Sequence, residues 1–127
     1  MTDDDASPPR GQITIERNGA VWIVSFRGEH DLATADLARE FLDEARLHAE
    51  AIVVDLTAVT FIDSTVVGVL VSAYQADWPL RIRVLVARHT QPCDMLTMTG
   101  LNTVLPVYDR LEEALAGSGA SDEHGPP

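Results

Sequence analysis

Lysine, cysteine and long apolar runs are scarce or missing in this sequence of 127 residues. Without any lysine, the chain cannot form a Gly-x-x-x-x-Gly-Lys-Ser/Thr phosphate loop, so nucleotide binding of the standard kind is excluded. The single cysteine, Cys93, has no internal disulfide partner, which favours a reducing compartment. No apolar run approaches the about 18 residues of a membrane span, and residues 1–11, MTDDDASPPRG, lack the apolar segment of a secretory signal. We therefore expect a soluble, cytoplasmic protein without a membrane partner.

Positive charge is also scarce. Twenty acidic residues against nine arginines give a formal net charge of −11. Five acids and one arginine fall in residues 1–11 and 117–127, so the segment between them holds fifteen acids and eight arginines, a net charge of −7. An acidic surface repels phosphate backbones and anionic lipid. Nucleic acid and membranes are therefore disfavoured as partners, whereas a basic patch on another protein is compatible.

The length and composition fit one folded domain between two tails. At 46% hydrophobic residues, the chain can fill one core. Residues 1–11 and 117–127 are polar and contain too few apolar groups to offset the entropy of ordering. We expect a domain over residues 12–116 and two disordered tails.

The N-terminal part predicts a β-hairpin. Residues 13–17 alternate apolar and polar side chains, and residues 21–26 are a second strand-like run. Asn18-Gly19 between them is a strong hairpin signal, because both residues tolerate positive φ. Residues 28–31 are expected to form a loop.

A helix is expected from residue 33 to residue 48, with Asp31 or Thr34 as its N-cap. The apolar positions at helical spacing are Leu37, Phe41, Leu42 and Ala45.

The chain is organised around residues 51–74, AIVVDLTAVTFIDSTVVGVLVSAY. Residues 52–56 are apolar and rich in β-branched side chains, which predicts a buried strand. Asp63, Ser64 and Thr65 form a helix-start signal. The helix that follows presents an apolar face at spacings of three and four residues. The members of that face are Val67, Leu70, Val71 and Tyr74.

The remaining elements alternate between strand and helix. Asp77-Trp78-Pro79 is expected to end the helix that begins near Ser64, because proline disfavours helical geometry in the residue before it. The further expectations are a strand at 82–86, a helix at 90–100 ended by Gly100, a strand at 105–108 and a last helix capped by Asp109. The order β-β-α-β-α-β-α-β-α predicts an α/β domain in which helices pack on a mostly parallel sheet with an antiparallel N-terminal hairpin.

Ser64 is the first candidate for function. It is either a helix N-cap, worth roughly 1 kcal/mol, or the first helical residue with a free hydroxyl, if Asp63 is the cap instead. A helix N-terminus tolerates an anion, and a phosphoserine adds about −1.5 to −2 charges. On an acidic face, the expected effect of such a phosphate is to repel a partner rather than to refold the domain.

A second apolar strip follows Ser64 on the same helix, about a third of a turn from the core face. Its residues are Val66, Val69 and Ala73. Either this strip packs internally or it forms an exposed docking patch one turn from Ser64. In the second case, Val66 and Val69 are expected to bind a partner.

Three segments, in this order, resemble the bacterial anti-sigma factor antagonists of the STAS domain family. Residues 55–70, DLTAVTFIDSTVVGVL, resemble the family's signature, and residues 28–35, GEHDLATA, resemble its loop before the first helix. Residues 99–102, TGLN, and 105–115, LPVYDRLEEAL, resemble its C-terminal third. The resemblance covers nearly all of residues 12–116 and implies a bacterial origin.

This resemblance implies a function without catalysis. Members of the family bind an anti-sigma factor that is also a serine kinase, and so release the sigma factor for transcription. The kinase phosphorylates the serine of the Asp-Ser motif, here Ser64, which ends the binding, and a serine phosphatase resets the protein. Asp31, Asp63 and Thr65 are expected to lie around the docking surface, and no cofactor or metal is implied.

Two residues depart from the family pattern. Val66 stands where the family often has glycine, two residues after the serine, and a side chain there is expected to affect the approach of a kinase. His30 replaces the usual aliphatic residue of the Gly-Glu-X-Asp loop.

Other functions keep less support from the sequence. The four histidines and Cys93 show no metal-ligand spacing. A Ser64 nucleophile with His30 or His89 as its base stays open, although no Gly-x-Ser-x-Gly elbow surrounds Ser64. A STAS component of a transporter or stress-signalling complex is the other alternative.

Overall fold

The computed structural model describes residues 11–76 and 81–117. Within these two ranges, five strands form one sheet in the order β1-β2-β3-β4-β5, in which β1 is antiparallel to β2 and all other neighbours are parallel. The strands are β1 (Gln12–Asn18), β2 (Val21–His30), β3 (Ala51–Ile62), β4 (Ile82–Leu85) and β5 (Val107–Tyr108). This is the predicted mixed sheet, with its hairpin at the N-terminus.

In the described part of the chain, four α-helices connect and cover the strands. They are α1 (Leu32–His48), α2 (Ser64–Ala76), α3 (Gln91–Met98) and α4 (Leu111–Ala116), and a 3-10 helix, Leu101–Thr103, precedes β5. The predicted order of strands and helices is confirmed, with that short 3-10 helix as an addition. The expectations for the two tails and for Asp77-Trp78-Pro79 concern residues outside the described ranges, apart from Gly11 and Gly117.

The strands β2 and β3 are longer than predicted. The expected loop at residues 28–31 is wrong for its first three residues, because Gly28, Glu29 and His30 continue β2. Likewise β3 continues from the predicted end at residue 56 to Ile62. The two strands remain paired, with His30 opposite Ile62, through two register shifts at which β3 carries an extra residue. These bulges interrupt the regular alternation of apolar side chains, which is why the pattern concealed the extension.

One helical layer packs on the main core face of the sheet. There α1 and α2 contact each other, and their buried residues join those of β2 and β3 in one cluster. The predicted face of α1 is partly wrong: Leu37 is 38% exposed, whereas Ala35 and Ala38 are buried. Small side chains allow α1 to approach its neighbours closely, and this close packing leaves the larger Leu37 at the margin.

The helix α4 covers part of the opposite face. Ala114 is buried against a second cluster that includes Ile23, Val53 and Leu85, and the Arg83 guanidinium donates to the Ala114 and Leu115 carbonyls at the helix end, at 2.9 Å each. The predicted cap Asp109 is wrong, because the helix begins after Arg110 without a side-chain cap. The Asp109 carboxylate instead accepts from Arg88 at 2.7 Å.

The helix α3 ends at Met98, two residues before the predicted end at Gly100. Gly100 follows α3 with φ of 77°, a left-handed conformation that favours glycine. Within the described part of the chain, no helix combines the length and apolar character needed to cross a membrane.

Candidate functional site

Ser64 lies at the carboxyl edge of the sheet, directly after β3 and Asp63. The Asp63 carboxylate accepts from the backbone N–H groups of Thr65 at 3.0 Å and Val66 at 3.2 Å. Its carbonyl accepts from the Val67 N–H at 3.1 Å. Asp63 is therefore the N-cap of α2 and Ser64 is its first residue.

The Ser64 hydroxyl is left free by this arrangement. Ser64 is exposed, and no residue in the described ranges hydrogen-bonds to its side chain. The alternative in which Ser64 itself caps the helix is wrong, because the Asp63 carboxylate already occupies the amides that a cap would bind. An exposed hydroxyl on a capped helix start is accessible to a reacting group, and the cap fixes the backbone that carries it.

Asp31 follows β2 at the same edge, since parallel strands that pair end side by side. The Asp63 N–H donates to the His30 carbonyl at 3.2 Å, which ties the start of α2 to the end of β2. Asp31 is the N-cap of α1 and accepts from the Ala33 N–H at 2.9 Å, and its own N–H donates to the Thr34 hydroxyl at 3.2 Å. Both predicted capping residues of α1 thus act together in one capping box.

The His30 side chain lies buried beneath this edge and has a structural role. The ring is fully buried and lies edge-on to Phe26, with 5.0 Å between the ring centroids. Its Nε2 contacts the Arg27 carbonyl at 3.1 Å, and its Nδ1 contacts the Thr34 hydroxyl at 3.0 Å. Because a carbonyl only accepts, Nε2 carries the hydrogen, and Nδ1 of the neutral ring accepts from Thr34. Burial lowers the pKa of His30 below its usual 6.5, since the charged ring is disfavoured away from water.

The hydrogen bonds of His30 argue against the alternative in which Ser64 is a nucleophile with His30 as its base. Both ring nitrogens of His30 are occupied by other groups, so His30 is not placed to take a proton from Ser64. His89 is exposed, with φ of 64°, and in the described ranges it makes no hydrogen bond to Ser64. Within the same ranges, no group of three histidine, cysteine or acidic side chains is arranged to hold a metal ion.

Val66 and Val69 are buried, at 0% and 4% exposure, as is Ala73 at 7%. Of the two alternatives, internal packing is therefore confirmed and the exposed docking patch is wrong: these side chains belong to the core that α1 and α2 share. The expected partner-binding role of Val66 and Val69 loses its basis, since neither side chain reaches the surface.

Gln91 is a residue of this site that the sequence analysis missed. The Ile62 N–H donates to its Oε1 at 2.8 Å, and its Nε2 donates to the Ile62 carbonyl at 2.9 Å. Gln91 is the first residue of α3, so this pair of bonds joins α3 to the last residue of β3. A glutamine at the start of a short helix gives no local sequence signal for a contact 29 residues away.

Apolar side chains are exposed at the same edge. Leu32, the first residue of α1, is 74% exposed and Phe61, the last residue but one of β3, is 42% exposed. The carboxylates nearby in sequence are Glu29, Asp31 and Asp63, whereas Arg88, which follows β4, is bound to Asp109. The edge that carries Ser64 therefore combines exposed apolar groups with acidic charge.

The comparisons with known proteins agree with this architecture. The model of the STAS domain family matches residues 12–114. An anti-sigma F factor antagonist of Paenibacillus polymyxa is 35% identical over 107 residues, which cover 82% of this chain and 92% of that protein.

Solved structures share the fold. The crystal structure of an anti-sigma factor antagonist from Mycobacterium paratuberculosis has a TM-score of 0.77 at 25% identity and covers 85% of this chain and 93% of its own. The Bacillus cell fate determinant SpoIIAA, in its phosphorylated form, has a TM-score of 0.60 at 18% identity, covering 84% of this chain and 98% of its own, and this likeness concerns the fold alone. The family model matches residues 12–114, and the Paenibacillus protein is 35% identical over 107 residues. On these two findings, the chain belongs to the STAS domain family.

Proposed function

We propose that this chain is an anti-sigma factor antagonist. It binds an anti-sigma factor that has serine kinase activity, which frees a sigma factor for transcription, and phosphorylation of Ser64 ends this binding. A serine phosphatase restores the active form. The observation that carries the proposal is the exposed Ser64 hydroxyl, which has no partner in the described ranges and stands at the start of a helix capped by its neighbour Asp63. The name of the Paenibacillus relative supports the choice of partner.

The geometry supports a phosphate that acts on a partner. Asp63 already occupies the Thr65 and Val66 amides, so a phosphate on Ser64 would not be neutralised by them. It would add about −1.5 to −2 charges beside a carboxylate. The folded domain is not expected to rearrange, whereas a partner packed closely against Ser64 would be displaced by the bulk of the phosphate and by its charge.

The docking surface in this proposal is the edge around Ser64. Asp31 and Thr65 flank it, Asp63 fixes its helix, and Leu32 and Phe61 supply exposed apolar area. Apolar anchors surrounded by polar groups are typical of protein interfaces. Val66 and Val69 are not part of this surface because they are buried. The proposed folded unit is residues 12–116, and the proposed place of action is the cytoplasm.

The test is a pull-down from an extract of the native cells with wild-type, Ser64→Ala and Ser64→Asp proteins, read by mass spectrometry. Ser72→Asp is the matched control, since Ser72 is an exposed serine on the same helix. We expect a kinase-like protein to be retained by wild type, Ser64→Ala and Ser72→Asp but lost by Ser64→Asp. Equal retention by all four would contradict the switch. Recovery of transport or scaffold subunits in place of a sigma regulator would favour a STAS component of such a complex.

A further inference from the structure

We infer that Gln91 is a positioning residue for Ser64: its side-chain amide replaces a missing strand at the end of β3 and so fixes the turn that presents the Ser64 hydroxyl to a kinase. This inference rests on the proposed phosphorylation of Ser64.

The end of β3 needs a partner on one side. β4 pairs only with residues 52–55 of β3, and its last residue, Leu85, lies opposite Asp55. The last seven residues of β3, which end at Ile62, therefore extend beyond β4. On the β2 side, the Asp63 N–H donates to the His30 carbonyl. Because successive backbone groups of a strand alternate in direction, the Ile62 N–H and carbonyl point to the side that β4 has left. Ile62 is 1% exposed, so these two groups need a partner within the protein.

The Gln91 amide satisfies both groups at once. It accepts from the Ile62 N–H at 2.8 Å and donates to the Ile62 carbonyl at 2.9 Å. A primary amide offers an acceptor and a donor side by side, as the backbone of a neighbouring strand does, whereas an ionised carboxylate offers acceptors only. Gln91 is itself held by the start of α3, where the Thr90 hydroxyl donates to the Ala87 carbonyl at 2.6 Å.

The consequence concerns the turn between Ile62 and Ser64. Ile62 is fixed from the α3 side, the next residue is fixed from the β2 side, and Ser64 follows immediately. Hydrogen bonds on both sides restrain rotation of the end of β3 about the strand axis. Phosphoryl transfer requires the attacking hydroxyl within about 3–3.5 Å of the phosphorus and in line with the leaving group, and a displacement of about 1 Å can cost about 100-fold in rate.

The first measurement is amide hydrogen exchange at residues 62–66, which needs no kinase. In Gln91→Ala, we expect exchange at Ile62 to rise about tenfold, because its N–H loses its acceptor. In Gln91→Glu, an acceptor for this N–H remains, so Ile62 stays protected, although its carbonyl loses the donor. Gln75→Ala is the matched control, since Gln75 is an exposed glutamine of α2. Unchanged exchange at Ile62 in Gln91→Ala would overturn the inference.

The second measurement is the rate of phosphorylation of Ser64 by ATP and the kinase-like protein recovered on Ser64→Ala. We expect kcat/KM to fall about 10- to 100-fold in both Gln91→Ala and Gln91→Glu, with most of the loss in kcat. Val84→Ala, a truncation in the core of β4, serves as a variant of reduced stability that leaves the turn intact and should retain the wild-type kcat.

The outcomes separate the two proposals. Equal kcat for wild type and Gln91→Ala would overturn the positioning role while the proposed function stands. Equal losses in Val84→Ala and Gln91→Ala would also overturn it, since general destabilisation would then explain the effect. A wild-type chain that the recovered protein does not phosphorylate would overturn the proposed switch and the role of Gln91 with it.

Discussion

Truncation of Asp63 should lower the stability of the domain, whereas truncation of its neighbour Ser64 should leave the stability nearly unchanged. Asp63→Ala removes the acceptor of two backbone N–H groups, those of Thr65 and Val66. Loss of an N-cap costs about 0.5–2 kcal/mol. Because the Thr65 and Val66 amides both lose a partner, we expect a decrease of about 1–2 kcal/mol in the free energy of unfolding. For a domain of this size, each kcal/mol corresponds to a decrease of roughly 4–8 °C in Tm.

Ser64→Ala should change the free energy of unfolding by less than about 0.5 kcal/mol. The hydroxyl has no hydrogen-bond partner in the described ranges, and alanine is the better helix former. Asp63→Asn is the matched control, since asparagine caps a helix nearly as well as aspartate, and we expect it to retain most of the wild-type stability.

The assay is urea unfolding followed by far-UV circular dichroism, with the free energy extrapolated linearly to water. The comparison requires equal slopes against urea for the four proteins, which would show that the variants expose the same surface on unfolding and differ in stability alone. If Ser64→Ala lost as much stability as Asp63→Ala, Ser64 would be the cap, and its hydroxyl would not be free for modification.

Two further predictions concern the residues that depart from the family pattern. Val66→Gly should lower the free energy of unfolding by about 2–4 kcal/mol, because it empties a fully buried site and places glycine within a helix. A loss below about 1 kcal/mol in urea unfolding would contradict the burial of Val66. Since burial holds the pKa of His30 below 6.5 in the folded state, the unfolded state binds the extra proton first. The stability that the neutral ring contributes is therefore fully present above pH 6.5 and is lost as the pH falls from 6.5 through the folded pKa. In this range the free energy of unfolding changes by at most about 1.4 kcal/mol per pH unit on account of His30. His30→Leu should remove this part of the slope in unfolding measured from pH 7.5 to 5, and an unchanged slope would contradict the buried neutral ring.

The order of strands and helices could be predicted from the sequence because each signal is local. Asn18-Gly19 marks the hairpin, and the alternation of strand-like and helix-like runs then requires parallel crossovers. The capping roles of Asp63 and Asp31 are also local, since a cap binds amides two or three residues away.

The extension of β3 could not be predicted in the same way. Along its last six residues, only Val59 and Ile62 are buried. Buried residues three positions apart match neither the alternation of a strand nor the full repeat of an amphipathic helix. The two bulges against β2 produce this spacing, and they depend on pairing between distant residues. The contact of Gln91 with Ile62 is non-local for the same reason, and it places α3 beside the candidate site.

The burial of Val66 and Val69 shows a different limit. Periodicity located both apolar strips of α2, but it cannot say how many neighbours a helix has. Because α2 packs against the sheet and against α1, both strips are internal, and the exposed apolar groups of the edge are instead Leu32 and Phe61.

We propose above that a phosphate on Ser64 ends the binding of the anti-sigma factor. The most direct test titrates the recovered partner with the unphosphorylated chain and with the chain fully phosphorylated at Ser64, by isothermal titration calorimetry. We expect the unphosphorylated chain to bind and phosphorylation to raise Kd by at least about tenfold, or about 1.4 kcal/mol. Equal Kd values for the two forms would contradict it.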